Sequence, residues 1–224
     1  MLDSIVSRER SKIVECDCGS DSKENGKAGA CRLGSCGSRN LRIYTGFTKG
    51  VDRLPERVCS GVLDRDIAAT ILPGTMTARE RGRKVDGVGE NFLFSCNVKT
   101  RSQDSILSGD GAVHDISADE WLEGVEEDAD ASKLEVDFQG IRAVSYATQA
   151  FLYVPCTPTG KKSGAARQDY GLIVESRTIG DTAVTGDELR QAVTDFAYEL
   201  LRYNYRIQGC QEVRTLPSEL PRFA

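Results

Sequence analysis

The fold is decided by the stretch Arg142–Val154 (RAVSYATQAFLYV), Asp169–Thr178 (DYGLIVESRT) and Thr185–Leu201 (TGDELRQAVTDFAYELL). The first two segments are rich in β-branched and aromatic residues and are separated by a loop with Pro and Gly, which predicts two strands of one sheet. Thr185 and Glu188 have the spacing of a capping box at the start of a helix. In that helix the apolar residues recur at helical spacing and form one stripe: Leu189, Ala192, Val193, Phe196, Ala197, Leu200 and Leu201. This succession indicates an α+β fold.

The composition is that of a soluble globular chain. Of the 224 residues 39% are hydrophobic and 28% are charged, and no apolar run approaches the about 18 residues of a membrane helix. We therefore expect no membrane partner. The first ten residues lack the apolar core of a secretory signal, and eight cysteines are too sparse for a disulfide-stapled mini-protein, so mostly reduced thiols are expected.

Catalytic motifs do not stand out in this sequence. His114 is the only histidine and lies in a polar stretch (SGDGAVHDIS), where an ordinary surface histidine is expected. No nucleophile elbow, Walker loop, dinucleotide-binding fingerprint or HExxH pattern occurs. An enzyme using carboxylates such as Asp169 and Glu175 would rest on residue type alone. The prediction is a protein that is not an enzyme.

Residues 1–40 form a Cys-, Gly- and Ser-rich N-terminal arm, separate from a sheet-plus-helix domain over residues 41–224. Half of the cysteines lie in the arm, with the spacing C-x-C, a gap of twelve and C-x4-C: Cys16, Cys18, Cys31 and Cys36. Four thiolates would suit a tetrahedral zinc site, but a zinc ribbon has two C-x2-C pairs. Zinc, disulfides formed after assembly and a flexible arm with free thiols all remain open. No other cofactor is predicted.

The clearest strand is Asn91–Arg101 (NFLFSCNVKTR). Phe92, Phe94, Cys96 and Val98 alternate with Leu93, Ser95, Asn97, Lys99 and Arg101, so one face is apolar and the other is mostly polar and basic. An ordinary solvated sheet face explains this pattern. Alternate side chains about 6.6–6.8 Å apart also suit a nucleic-acid backbone with splayed bases.

The segment 102–140 is strongly acidic. It holds twelve of the 34 acidic residues and one of the 29 Lys and Arg residues, so the rest of the chain has 28 bases and 22 acids. The net charge of −5 therefore does not exclude an anionic partner. Ser117 and Glu120 have capping-box spacing, which predicts a short acidic helix.

Taken in order, several parts resemble the coat proteins of single-stranded RNA bacteriophages, the levivirus class. The resemblance lies in strand Asn91–Ser102, strand Tyr146–Val154 running into Pro155, a basic Gly- and Thr-containing loop, strand Tyr170–Thr178, and a capped helix of the form T-x-D-E-L-x3-V-x6-L-L. It implies a meandering antiparallel sheet whose C-terminal helix lies across the partner's sheet in an intertwined homodimer. Such dimers assemble in the host cytoplasm into an icosahedral shell, the virion, around single-stranded genomic RNA.

The resemblance also assigns residues. Ser95, Asn97, Lys99 and Arg101 match RNA-contacting strand positions, and the same side of the next strand would carry Ser145, Gln149, Phe151 and Tyr153. Phe151 and Tyr170 would stack on bases. Loop residues Lys161, Lys162 and Arg167 would line contacts around symmetry axes, and Cys156 would form a disulfide between subunits.

The acidic segment 102–140 has no counterpart in the resemblance, so it is expected to be an insertion that projects away from the RNA. An acidic block facing RNA would cost Coulomb energy. The alternative to a capsid protein is a soluble α+β interaction module that binds a protein partner, does not assemble, and carries a Cys-rich, zinc-binding N-terminal segment.

Overall fold

The computed structural model describes residues 50–85, 93–100, 105–127, 132–160 and 169–223. All of them belong to one compact unit of the chain, which lies within Gly37–Ala224. The predicted N-terminal arm therefore lies outside the described residues.

The described residues form an α+β fold, as predicted. A short 3-10 helix (Val51–Arg53) precedes a two-stranded sheet, β1 (Arg57–Val58) and β2 (Leu63–Asp64), and helix α1 (Arg65–Ile71). The remaining elements are β3 (Ala78–Val85), β4 (Leu93–Thr100), β5 (Ile106–Asp115), α2 (Ala118–Glu127), β6 (Leu134–Phe138), β7 (Ile141–Ser145), β8 (Gln149–Pro155), β9 (Tyr170–Ile179) and α3 (Gly186–Gln208).

Seven strands make one antiparallel sheet in the order β3-β4-β5-β9-β8-β7-β6. The chain does not meander from edge to edge as expected. After β5 it passes through α2 to the far edge, and β6 to β9 then return to the centre, where β9 pairs with β5. The acidic segment 102–140 supplies β5, α2 and β6, so its interpretation as an insertion is corrected.

The predicted single strand Arg142–Val154 is a hairpin. The chain reverses at Tyr146, whose N–H donates to the carbonyl of Gln149 at 2.8 Å, and β7 and β8 pair with Val144 opposite Phe151. The sequence gives no turn signal here, because Tyr146, Ala147 and Thr148 include neither Gly nor Pro.

Helix α3 packs against the sheet of its own chain. Its predicted apolar stripe is confirmed, since Leu189, Val193, Phe196 and Leu200 are buried in the main core. The resemblance implied that this helix covers a partner's sheet in an intertwined homodimer, and that arrangement stays a prediction. The helix starts after Thr185, as predicted, although the Thr185 side chain makes no capping hydrogen bond to a described residue.

Helix α2 packs against the opposite face of the sheet. Trp121 is buried there with Val144, Tyr146 and Tyr153, and its ring centroid is 5.4 Å from that of Tyr153. The hydroxyl of Ser117 accepts from the N–H of Glu120 at 3.2 Å, which confirms the helix start expected from the sequence. The two helices thus lie on opposite sides of the sheet.

The described residues contain two disulfides, while the expectation of mostly reduced thiols concerns the chain during synthesis and stays a prediction. Cys59 pairs with Cys96 and Cys156 pairs with Cys210, both within the chain. The predicted disulfide of Cys156 between subunits is therefore wrong.

The Cys156–Cys210 bond forms part of a clamp that fixes the segment after α3 to the end of β8. Glu212 accepts from the Thr157 N–H at 2.7 Å, and the N–H of Gln211 donates to the Thr157 carbonyl at 2.9 Å. The segment after α3 is held through these contacts.

Replacing both Cys156 and Cys210 by Ser should lower the free energy of unfolding by about 2–4 kcal/mol, because the denatured chain regains the freedom that the cross-link removes. Chemical denaturation of both proteins measures the difference. Alkylation without reductant, followed by peptide mapping, should find the native pair linked. Free, alkylated Cys156 and Cys210 in the folded protein would contradict this pairing.

Candidate nucleic-acid interface

One part of the sheet face opposite α3 is left to solvent. Among the described residues, helix α2 covers this face mainly over β7 and β8, where Val144, Tyr146 and Tyr153 are buried. On β3 and β4, at the other end of the same face, the side chains are exposed or half-buried. We call this uncovered part of the sheet, from β3 to β9, the open face.

The register of β3 and β4 places basic and polar side chains side by side on the open face. Arg79 lies opposite Lys99, Arg81 opposite Asn97, and Arg83 opposite Ser95. Successive side chains on one face of a strand are about 6.8 Å apart. The set Arg79, Arg81, Arg83 and Lys99, which we call the basic strip, therefore forms a short cationic band.

The arginine side chains of the basic strip are not engaged in contacts with the described part of the chain. Within the described ranges the side chains of Arg79, Arg81 and Arg83 form no hydrogen bond or ion pair, and all three are exposed. Between them and the centre of the sheet, Asn97 donates its Nδ2 proton to the hydroxyl oxygen of Ser95 at 3.1 Å. The three guanidinium groups are thus available to an anion.

These arginines are not among the predicted site residues, because the basic run Thr75–Lys84 (TMTARERGRK) next to Gly74 resembles a turn. The available signal was the alternation A-R-E-R-G-R-K, which has the period of a strand. Glu80 accepts from the Cys59 N–H at 2.7 Å on the core side of β3. Gly82 lies on that side too, where a Cβ would be 2.5 Å from the Cys59 carbonyl carbon. Glu80 and Gly82 thus meet protein, whereas Arg79, Arg81 and Arg83 meet solvent.

Several predicted site residues lie on the open face. The alternation of β4 is confirmed, since Phe94, Cys96 and Val98 are buried while Ser95, Asn97 and Lys99 point the other way. Gln149 is exposed on the same face, opposite Arg177 of β9. However, β5 and β9 separate β8 from β4, so Gln149 is not on the strand next to the basic strip. Arg101 lies outside the described residues.

Three predicted contacts are corrected because their side chains are buried. Tyr153 is 2% exposed beneath α2, and its hydroxyl donates to the Ile116 carbonyl at 3.3 Å. Tyr170 is 6% exposed in the core on the α3 side, which is the opposite face. Ser145 also faces α3, with its hydroxyl 3.1 Å from that of Thr194. The turn at Tyr146 accounts for Ser145, and a one-residue register difference accounts for Tyr170. Tyr153 lies on the predicted face, where α2 covers it.

Most residues of the predicted loop and metal sites lie outside the described residues. Lys161, Lys162 and Arg167 lie outside them, as do Cys16, Cys18, Cys31 and Cys36. Cys156 is fully buried in its disulfide. Across the described part of the chain, no group of three or more His, Cys, Asp or Glu residues is placed to hold a metal ion. His114 is exposed on β5.

The charge on the open face changes from positive to negative with distance from the basic strip. Asp110 of β5 lies directly opposite Glu175 of β9, and both are exposed next to Arg177 and half-buried Phe151. Like charges directly opposite on neighbouring strands destabilise a sheet. This central pair marks the boundary beyond which phosphate groups would be repelled.

The far end of the same face is acidic, which contradicts the prediction that segment 102–140 projects away from it. Helix α2 carries exposed Asp119, Glu120 and Glu123, and β6 adds exposed Glu135 and Asp137. Arg142 donates to Asp119 at 2.7 Å, and this hydrogen bond raises the pKa of the Arg142 guanidinium. We call these five carboxylates the acidic end. The face as a whole is therefore bipolar, with positive charge at the basic strip and negative charge at the acidic end.

No family model, curated protein or solved structure matches this chain significantly. No helix within the described ranges is long and apolar enough to cross a membrane. The argument for function therefore rests on the geometry and charge of the open face.

Alkaline pH should destabilise the fold through its buried phenols. Burial raises the pKa of Tyr153 to about 12 and that of Tyr198 to about 12, from an ordinary value of 10.0. Because the folded state holds these protons more tightly, the associated stability is present below about pH 10 and is lost as the pH rises towards about 12.

A titration followed by phenolate absorbance and circular dichroism tests this coupling. The buried tyrosines should ionise together with unfolding, and Tyr153→Phe should make the loss of stability with pH less steep. Ionisation of every tyrosine near pH 10 with an unchanged circular dichroism spectrum would contradict the prediction.

Proposed function

We propose that this protein binds single-stranded RNA along its basic strip and packages it as a self-assembling structural protein. The observation that carries the proposal is the row of Arg79, Arg81 and Arg83, exposed beside Lys99 on the open face of a helix-backed sheet. The resemblance of the strand and helix pattern to phage coat proteins supports the packaging part.

Phosphate neutralisation would supply most of the affinity. Guanidinium groups offer paired N–H donors that match phosphate oxygens, and each contact releases counterions from the polynucleotide. Ser95 and Asn97 lie next to the strip and provide hydrogen-bonding groups for base edges or sugar hydroxyls.

A single strand suits this surface better than a duplex. Single-stranded chains bind along positively charged grooves and stack their bases on aromatic side chains. Phe151, the predicted stacking residue, is half-buried on the same face, with its ring edge-to-face with Tyr146 at 5.9 Å, but it lies beyond Glu175 and away from the basic strip. The acidic pair Asp110 and Glu175 would keep phosphates on the β3 and β4 side.

The bipolar face also favours contacts between copies. The basic strip and the acidic end lie at opposite edges of one sheet, so the acidic end of one copy complements the basic strip of another. Such head-to-tail contacts generate rings, shells or filaments.

Replacing Arg81 and Arg83 together by Gln should weaken binding of a single-stranded RNA oligonucleotide about tenfold or more at low salt. The slope of log K against log salt should fall by about 1.4, since each lost phosphate contact on a single strand contributes about 0.7. Fluorescence anisotropy across a salt series measures both quantities.

The matched control is the double change Arg53→Gln and Arg222→Gln, which removes the same charge from two exposed arginines outside the sheet. Its RNA affinity and salt slope should stay close to those of the unmodified protein. Equal losses in both double variants would show that net charge, not the basic strip, determines binding.

Assembly is tested by expressing the chain, sizing it and imaging it in negative stain. The proposal expects particles far larger than a dimer that contain nuclease-protected RNA. A small species with about one zinc ion per chain would support the alternative, a soluble interaction module with a Cys-rich zinc-binding segment. Particles that form without RNA would separate assembly from RNA binding.

A further inference from the structure

A groove of about 600 Å³ lies away from the open face, at the C-terminal end of α3. The last turns of α3 form one wall, β1 and the turn after it form another, and the segment after α3 closes the third side. The clamp through the Cys156–Cys210 disulfide holds this segment in place. The volume falls within the range of about 300–1,000 Å³ that is typical of small-ligand sites.

Four arginines from three parts of the chain line the groove: Arg57, Arg202, Arg206 and Arg214. We call it the arginine groove. Each guanidinium is oriented by neutral groups: Arg57 Nε donates to the Gly61 carbonyl at 3.0 Å, and Arg202 donates to the Ser218 carbonyl at 3.1 Å.

The other two arginines are placed in a similar way. Arg206 lies over the ring of Tyr203 at 5.5 Å, and Arg214 donates to the Gln139 carbonyl at 3.4 Å. All four side chains are exposed. They are therefore oriented by carbonyls and a ring, and each guanidinium retains N–H donors, since it has five and uses few of them.

The two carboxylates in the groove are already engaged elsewhere. Glu199 accepts from the Asp64 N–H at 2.7 Å, and Glu212 accepts from the N–H of Thr157 at 2.7 Å and from its hydroxyl. Partial burial would raise the pKa of Glu212, but the hydrogen bonds from Thr157 outweigh it and the pKa is lowered. Glu212 therefore stays ionised and directed at the main chain.

The charge balance in the groove is positive. Four arginines against two carboxylates leave a charge of +2. The carboxyl end of α3 contributes only about −0.5, so the helix dipole accounts for a small part of this clustering. Buried Tyr205 and the disulfide form a rigid base beneath these charges.

We propose that the arginine groove binds a compact anion with several phosphate groups, such as an inorganic polyphosphate or the phosphate chain of a nucleotide. Guanidinium forks match phosphate oxygens two at a time, and several of them around one concavity favour an anion with several such oxygens. This site is separate from the basic strip, because α3 and the open face lie on opposite sides of the sheet.

Isothermal titration calorimetry with inorganic tripolyphosphate tests the site on the full-length protein. The unmodified protein should bind with a stoichiometry near one for the groove. The double variant Arg206→Gln and Arg214→Gln should bind about tenfold more weakly or worse, while Arg81→Gln with Arg83→Gln should change the affinity less than about twofold. Titration with ATP in parallel distinguishes a nucleotide from a bare polyphosphate as the better ligand.

Hydrogen exchange supplies a second readout that does not depend on a variant folding. Tripolyphosphate should slow exchange in the segment 209–216 and leave β3 and β4 unchanged. The proposal is overturned if millimolar tripolyphosphate does not bind, if the open-face variant loses as much affinity as the groove variant, or if protection appears on β3 and β4 instead. Failure of the basic strip to bind RNA would leave this proposal standing, because the groove is tested by its own variant and by exchange in 209–216.

Discussion

The close packing of α3 on the central strands determines which surfaces remain for function. Gly109 and Gly111 of β5 make this approach possible. A Cβ at Gly109 would lie 2.8 Å from the Phe196 ring, and one at Gly111 would lie 2.5 Å from the Asn204 amide. The interface also includes polar contacts, as the Ser176 hydroxyl donates to the Val193 carbonyl at 3.1 Å. One face of the sheet is therefore covered by a helix of the same chain. The other face and the ends of the helix remain accessible for binding.

The open face shows how an acidic protein can present a basic surface. The net charge is −5, yet the exposed arginines of β3 are grouped at one edge, and the acidic end is grouped at the other. Exposed charges more than about 8–10 Å apart are largely screened at physiological salt. A phosphate at the basic strip therefore interacts mainly with the arginines beside it, and the overall charge matters less than its placement. The arginine groove on the other side of the sheet follows the same rule.

Local periodicity predicted the parts of this fold that have one dominant pattern. The stripe of α3 and the alternation of β4 are both confirmed, because burial of one face imposes a fixed period on each. The hairpin at Tyr146 was missed because a turn without Gly or Pro leaves no mark in the sequence. The face of Ser145 was then wrong because the turn at Tyr146 reverses it, and that of Tyr170 because a one-residue shift reverses every side chain of a strand. Tyr153 points to the predicted face, but α2 covers it.

Non-local features could not be predicted from the sequence, for a different reason. Which strands are neighbours depends on the passage of the chain through α2 to the far edge, and no local pattern encodes that choice. The pairing of Cys156 with Cys210 and the grouping of four arginines at the end of α3 depend on the same long-range contacts. The three arginines of β3, in contrast, were visible as an alternation, and they were missed because a basic run next to glycine resembles a turn.

The most direct test of the central claim is ultraviolet cross-linking of bound single-stranded RNA, followed by mass spectrometry of the linked peptides. The account predicts RNA adducts on peptides from 78–85 and 93–100, which carry the basic strip and its polar neighbours. Adducts confined to α2 or to the face covered by α3, with none on β3 or β4, would contradict it.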